Sequence, residues 1–238
     1  AGELAQTIDD SKPMLFIYES INKEAVAHAL TMCRHKPKIV IMIDDEEGGK
    51  PLDGTVSYTD FVKYQSAENP VLHWGLSIYD ETTRLYTSGT TGNAKGVCLT
   101  SINEVLSAHD VMIHFPFSSD DKSMNTTPWF HRGGLHSGGI TPTLYAGGSV
   151  TIMRKFDPVE TLRYIEQYKL SFIIGVPNVL ERLTEAQEKN GFDLSALRGI
   201  VTMGSPLERA ACIRYQSVLT PKIFNGYGTT ESFWNTFL

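Results

Sequence analysis

The segment Tyr86-Thr87-Ser88-Gly89-Thr90-Thr91-Gly92-Asn93-Ala94-Lys95-Gly96-Val97 concentrates residue types suited to holding a polyphosphate. Gly89, Gly92 and Gly96 let the backbone bend tightly and turn its N–H groups toward an anion. The hydroxyls of Thr87, Ser88, Thr90 and Thr91 add donors for phosphate oxygens. Lys95 supplies a mobile point charge at the far end. The Walker A pattern GxxxxGK requires Ser or Thr after the lysine, on a strand-to-helix turn. Here Gly96 follows Lys95, and Val97-Cys98-Leu99 reads as a strand, so a Walker-type site is disfavoured. A Gly-rich hairpin turn with no ligand would use the same residues.

Three later segments carry groups of the same kind. Pro128-Trp129-Phe130-His131, followed by Gly133-Gly134, sets a histidine beside two aromatics. His131 and His136 have no carboxylate or Cys at a matching spacing, which argues against zinc. In Met203-Gly204-Ser205-Pro206-Leu207, Gly204 permits close approach of a ligand to the backbone. Ser205, Pro206 and Glu208 also read as N-cap, first-position Pro and capping-box Glu of a following helix. Asn225-Gly226-Tyr227-Gly228-Thr229-Thr230-Glu231 reads by itself as a turn after a strand with a solvated Glu.

The elements positioning these segments alternate. Strands are expected at Met14–Tyr18, Lys38–Ile43, Leu85–Ser88, Val97–Leu99, Ser149–Met153, Phe172–Val176, Gly199–Met203 and Lys222–Asn225. Helices are expected at Asn22–Arg34, Tyr58–Gln65, Thr100–Phe115, Pro177–Asn190 and Leu207–Leu219, with Ser101 and Glu104 spaced as a capping box. Asp157-Pro158 starts another, whose apolar stripe is Val159, Leu162 and Ile165. Asp44–Gly54 reads as a loop, and the polar stretch Pro116–Lys122 as a subdomain boundary. Strands alternating with helices of this length imply an α/β fold, parallel sheets flanked by helices. A second, ligand-side expectation follows for 203–207, since a turn at the carboxyl end of a parallel strand is where open α/β sheets bind ligands.

The 238 residues suffice for one large or two smaller cores, and the net charge of −6 disfavours nucleic-acid and anionic-membrane surfaces. Cys33, Cys98 and Cys212 form no CxxC pair, which is consistent with a reducing, cytoplasmic setting. The apolar runs Ile39–Ile43 and Phe172–Val176 are too short for a transmembrane segment. The chain opens on Ala1, without a signal segment, and its first residues read like the middle of a longer protein.

Residues 87–96 resemble the [ST]-S-G-[ST]-T-G-x-P-K-G phosphate-loop signature of the AMP-forming adenylating family, departing from it only at Ala94, where Pro is usual. That family includes acyl-CoA synthetases, adenylation domains of peptide synthetases and luciferases. Residues 128–134 resemble its aromatic/His segment, 203–207 its adenine-packing turn, and 227–231 its [YF]-G-x-T-E signature, all in the family's order. The resemblance implies two α/β subdomains, 1–117 with the phosphate loop and 118–238 with the acyl- and adenine-binding segments, with the family's small C-terminal domain expected to fall outside these residues.

It further implies ATP-dependent activation of a hydrophobic (fatty or aryl) carboxylic acid, through an acyl-adenylate, to its coenzyme A thioester. Thr87, Ser88, Gly89, Thr90, Thr91, Gly92 and Lys95 would hold the ATP phosphates. His131 would meet the carboxylate, with Trp129 and Phe130 shaping the acyl wall. Gly204, Ser205, Pro206, Asn225, Gly226, Tyr227, Gly228 and Thr229 would surround adenine and AMP. Thr230 would bond a phosphate oxygen, and Glu231 would bind Mg²⁺. Within this resemblance, amino-acid adenylation onto a carrier protein would want an acidic residue just after the last of these segments; Phe233 and Trp234 follow Glu231-Ser232, and no Asp stands there. A non-catalytic nucleotide-binding module is the remaining alternative. Lacking the family's downstream parts, this piece is expected to bind nucleotide weakly and not to complete adenylation efficiently.

Overall fold

A computed structural model describes residues 1–43, 49–71, 75–87 and 94–237. The chain forms two compact units, residues 1–76 with 86–96 and residues 77–85 with 97–238. These units divide differently from the 1–117 and 118–238 subdomains expected from sequence, because the chain crosses between them inside β4 (Glu81–Thr87) and β5 (Lys95–Thr100), which pair as a two-stranded sheet.

The first unit carries α1 (Gly2–Ser11), β1 (Leu15–Glu19), α2 (Lys23–Met32), β2 (Ile39–Ile43), β3 (Val56–Ser57) and α3 (Tyr58–Val62). Its parallel sheet has the order β1-β2-β3. Ala5 and Ile8 of α1 pack on Ala29 of α2 and on Cys33, while Tyr18, Val26 and Met42 fill the space over the sheet. Helix α1 is absent from the sequence expectation.

The second unit positions the candidate site. It contains α4 (Ser101–His114), β6 (Lys122–Asn125), α5 (Arg132–His136), α6 (Ile140–Tyr145), β7 (Ser149–Thr151) and α7 (Pro158–Tyr168). Then follow β8 (Phe172–Gly175), α8 (Pro177–Asn190), β9 (Gly199–Met203), α9 (Arg209–Val218), β10 (Ile223–Thr229) and β11 (Phe233–Phe237). The sheet order is β11-β10-β9-β8-β6-β7, parallel throughout except for the antiparallel edge strand β11.

Alternating side chains feed two cores, as strand periodicity requires. Ile173 and Ile200 meet Leu162, Ile165, Leu180 and Tyr215 of α7, α8 and α9. Phe172, Ile174, Val201 and Met203 meet Val111 of α4, Phe115 and Phe233 on the other face. Helix α7 starts as expected, with Asp157 accepting from the Glu160 N–H and Pro158 in the first turn.

Two caps differ from expectation. The box on α4 is Thr100 with Asn103, whose Oδ1 accepts from the Thr100 N–H at 2.9 Å; Glu104 turns inward to His136 instead. Helix α9 begins at Arg209 with Glu208 at its N-cap, leaving Ser205 and Pro206 in an exposed turn rather than capping it. Lys122, expected in a boundary loop, opens the buried strand β6.

Candidate functional site

Carboxyl ends of parallel strands and the loops leaving them frame a cavity of about 360 Å³ in the second unit. Thr127, His131, Arg132, Gly133 and Ser137 contribute one wall, around α5. Val176 follows β8, and Met203 and Gly204 close β9. The β10–β11 hairpin adds Gly228, Thr229, Thr230, Phe233 and Trp234.

Local chemistry explains these positions. Gly204 has φ +86, so β9 turns out of the sheet through a left-handed residue that glycine adopts without strain. At Gly228 a Cβ would lie 1.7 Å from the Phe233 carbonyl oxygen, so only hydrogen lets the hairpin strands close at its irregular register between Tyr227 and Gly228. The turn Thr230-Glu231-Ser232 is braced by Thr229, whose Oγ1 accepts from the Ser232 N–H at 3.2 Å. It ends on Phe233 at φ 62.

Arg132 in that wall belongs to a buried polar cluster that the sequence expectation missed. Arg132 is 6% exposed; its Nη1 donates to the Thr230 carbonyl and its Nη2 to Ser107 Oγ at 3.1 Å. Its guanidinium sits 5.0 Å from the centre of the Phe233 ring. The fully buried His136 meets Glu104 through Nε2 and Oε2 at 2.6 Å. Burial pushes the Glu104 carboxyl up, but hydrogen bonding and charge from His136, with Thr83 and Arg132, outweigh it and hold it below its usual range. Burial lowers the Arg132 value, against the raising charges of Glu104 and Glu231. The signal was present: Glu104 and Ser107 are three apart on α4, and Arg132 and His136 four apart on α5, so each pair shares a helix face.

His131, Gly204, Gly228, Thr229 and Thr230 come together around the cavity. Ser205, Pro206, Asn225, Gly226, Tyr227 and Glu231 lie outside its lining. Tyr227 is 64% exposed, and Glu231 is also exposed. Trp129 and Phe130, expected as the aromatic wall, do not line it, and Phe130 faces outward; Phe233 and Trp234 take that place. Trp234 donates from Nε1 to Ser137 Oγ at 3.0 Å and stacks on Phe233. In the other unit, Thr87 ends β4 and the exposed Lys95 opens β5. Ser88, Gly89, Thr90, Thr91 and Gly92 lie outside the described residues.

Two observations bear on cofactors. Asn225 and Thr202 are register partners on β10 and β9, and Oδ1 of the one and Oγ1 of the other are buried without a hydrogen-bond partner among the described residues. Neither residue lines the cavity, so these orphaned atoms would meet the N–H donors of a ligand such as adenine only if they opened toward it. No group of three His, Cys, Asp or Glu side chains that could hold a metal occurs among the described residues. A single exposed Glu231 therefore fits Mg²⁺ only as one ligand beside substrate phosphates. No helix among the described residues is long and apolar enough to cross a membrane.

Comparison with known proteins locates the chain. A family described as AMP-binding enzyme matches residues 1–237. A feruloyl-CoA synthase from Amycolatopsis sp is 32% identical over 165 residues, covering 69% of this chain and 33% of that protein. The probable CoA ligase CCL5 of Humulus lupulus is 28% identical over 238 residues, covering 97% of this chain and 41% of that protein. This chain thus spans less than half the length of these curated relatives. Among solved structures, ATP-bound MatB from Rhodopseudomonas palustris superposes with a TM-score of 0.80 at 24% identity, covering 99% of this chain and 44% of that one. The anthranilate CoA ligase AuaEII with anthranoyl-AMP gives 0.83 at 21% identity, covering 96% and 43%. At these identities the two structures support the α/β fold alone.

Proposed function

The chain belongs to the AMP-binding enzyme family, and on that premise we propose that it carries the nucleotide and carboxylate site of an AMP-forming acid–thiol ligase. The acid's carboxylate attacks the α-phosphorus of ATP, forming the acyl-phosphate bond as the bond to pyrophosphate breaks. A thiol, coenzyme A in this reading, then attacks the acyl carbon and AMP leaves. Because the nucleophile is already a carboxylate, the first step needs positioning and charge neutralisation rather than a general base.

The observation that carries this reading is convergence: His131, Gly204, Gly228, Thr229 and Thr230 derive from three separate sequence motifs yet line one cavity. In this reading His131 faces the carboxylate and Thr230 bonds a phosphate oxygen. Gly204, Ser205, Pro206, Asn225, Gly226, Tyr227, Gly228 and Thr229 surround AMP, with Tyr227 on the adenine and Asn225 reading its edge. The loop residues Thr87, Ser88, Gly89, Thr90, Thr91, Gly92 and Lys95 hold polyphosphate. Mg²⁺ held at Glu231 would neutralise phosphate charge. Val176, Met203, Phe233 and Trp234 supply an apolar lining, which supports a hydrophobic acid, fatty or aryl.

A thermal-shift titration of this chain tests the reading, using Mg-ATP, AMP and acyl-sulfamoyl-adenosines with aliphatic or aryl acyl groups. Stabilisation by an acyl analogue beyond that given by AMP is the expected result. Absence of a shift with every ligand would overturn it.

A further inference from the structure

We propose that Arg132 is a positioning residue that clamps the Thr229-Thr230-Glu231 turn to α5, with the Glu104–His136 pair as its counter-charge. The consequence for binding rests on the nucleotide site proposed above; the clamping itself does not.

A guanidinium commits its donors in a fixed planar fork. Here the fork spans two elements, with Nη1 on the Thr230 carbonyl and Nη2 on Ser107 Oγ of α4. The plane meets the Phe233 ring, which follows the turn at φ 62. Thr229 and Ser232 bond each other within the hairpin, whereas Arg132 ties it to the rest of the unit. Charge-assisted bonds to a backbone carbonyl are among the stronger ones, and more so where water is excluded.

Burying a cation this deeply demands an opposing charge nearby. Glu104 supplies it from α4 and is fixed by His136, one helical turn beyond Arg132 on α5. Glu231 adds a second negative charge from the turn. The cluster thus joins α4, α5 and the hairpin at the residues assigned to the phosphate side, while Tyr227 and Asn225 sit earlier on β10.

Amide hydrogen exchange on the unliganded chain tests the clamp in the wild type, Arg132→Gln, Arg132→Lys and Glu104→Gln. In Arg132→Gln, exchange across residues 229–234 should accelerate by about tenfold or more, the scale of one lost charged hydrogen bond, with β8 and β9 keeping their protection. Arg132→Lys should restore part of it, since one ammonium cannot serve Thr230, Ser107 and the ring together. Glu104→Gln should give a smaller acceleration in the same segment. Unchanged exchange in 229–234 overturns the proposal, as does acceleration spread evenly over β8 and β9 in both Arg132 variants. Should Arg132→Gln unfold altogether, the Lys variant decides by the same criterion.

Binding of Mg-ATP and of adenosine is measured alongside. A loss for Mg-ATP several-fold greater than for adenosine is expected in Arg132→Gln; equal losses count against the clamp. A wild type that binds neither ligand refutes the nucleotide reading, and the exchange result still decides the clamp.

Discussion

Nε2 of His136 lies 2.6 Å from Oε2 of Glu104, tying the five-residue helix α5 to α4 through a fully buried imidazole. So short a helix has little intrinsic stability. Its place is set by what its side chains bond. Nδ1 of His136 and Oε1 of Glu104 are both buried without a partner among the described residues, so the 2.6 Å contact carries the polar satisfaction of the pair.

Glu104→Ala should therefore lower the unfolding free energy by roughly 1–3 kcal/mol at neutral pH, read by urea denaturation. The effect should depend on pH. The folded carboxyl is held below its usual range, although burial opposes this, by His136, Thr83 and Arg132. Its stabilisation is present above the unfolded carboxylate value of about 4.3 and is lost as pH falls through the lower folded value. A gap between wild type and variant that stays constant down to about pH 3 would contradict this account.

Gly228→Ala should destabilise the hairpin, since the added Cβ would lie 1.7 Å from the Phe233 carbonyl and backbone must move. The expected loss is on the order of 1–3 kcal/mol, read by thermal unfolding. The Trp234 bond to Ser137 should weaken with it. A variant with wild-type stability would mean that the irregular register beside Gly228 opens at no cost.

How far the sequence foretold this arrangement depends on whether the signal was local. Helix α8 spans Pro177–Asn190 as expected, and β9 Gly199–Met203, because apolar periodicity and flanking Pro and Gly fix them within their own segments. The strand β6, Lys-Ser-Met-Asn, carries no such pattern; β7 and β8 pair its edges, and it is buried because Met124 joins the core under α7 and α8 while Ser123 meets Thr143 of α6. β11 depends on closure at Gly228 and on Phe233 at φ 62, neither of which propensity foretells. At the site, glycines and hydroxyls announced Gly204, Gly228 and Thr230. Arg132 stayed hidden because its spacing to His136 places the two on one face only if residues 132–136 are helical, and no helix was expected there.

Tyr215 offers a test on the opposite face of the sheet. Its hydroxyl donates to Glu181 Oε2 at 2.9 Å, and burial followed by that carboxylate pushes the phenol up to about 12. The group contributes stability fully below the unfolded value of about 10, and this is lost as pH rises through the folded value. Alkaline difference absorbance should show a late step near pH 12, and Tyr215→Phe should remove it. An alkaline titration left unchanged by Tyr215→Phe would sink the assignment.

Glu231 and Tyr227 make separable predictions for nucleotide binding under the proposed function. Tyr227 is 64% exposed on β10, free to present its ring to a base, whereas Glu231 stands in the turn with a single carboxylate. If Mg²⁺ bridges that carboxylate and the phosphates, Glu231→Gln should weaken Mg-ATP about ten- to a hundredfold, the scale of one charged contact. AMP binding measured without metal should change little. Chelating the metal should weaken ATP binding by wild type but add little to the loss in Glu231→Gln, because both remove the same bridge. Tyr227→Ala should instead weaken ATP and AMP by equal factors, since stacking on adenine is common to both. Isothermal titration of both nucleotides, with and without Mg²⁺, separates the two residues. Equal losses of ATP and AMP in Glu231→Gln would remove the metal from that carboxylate.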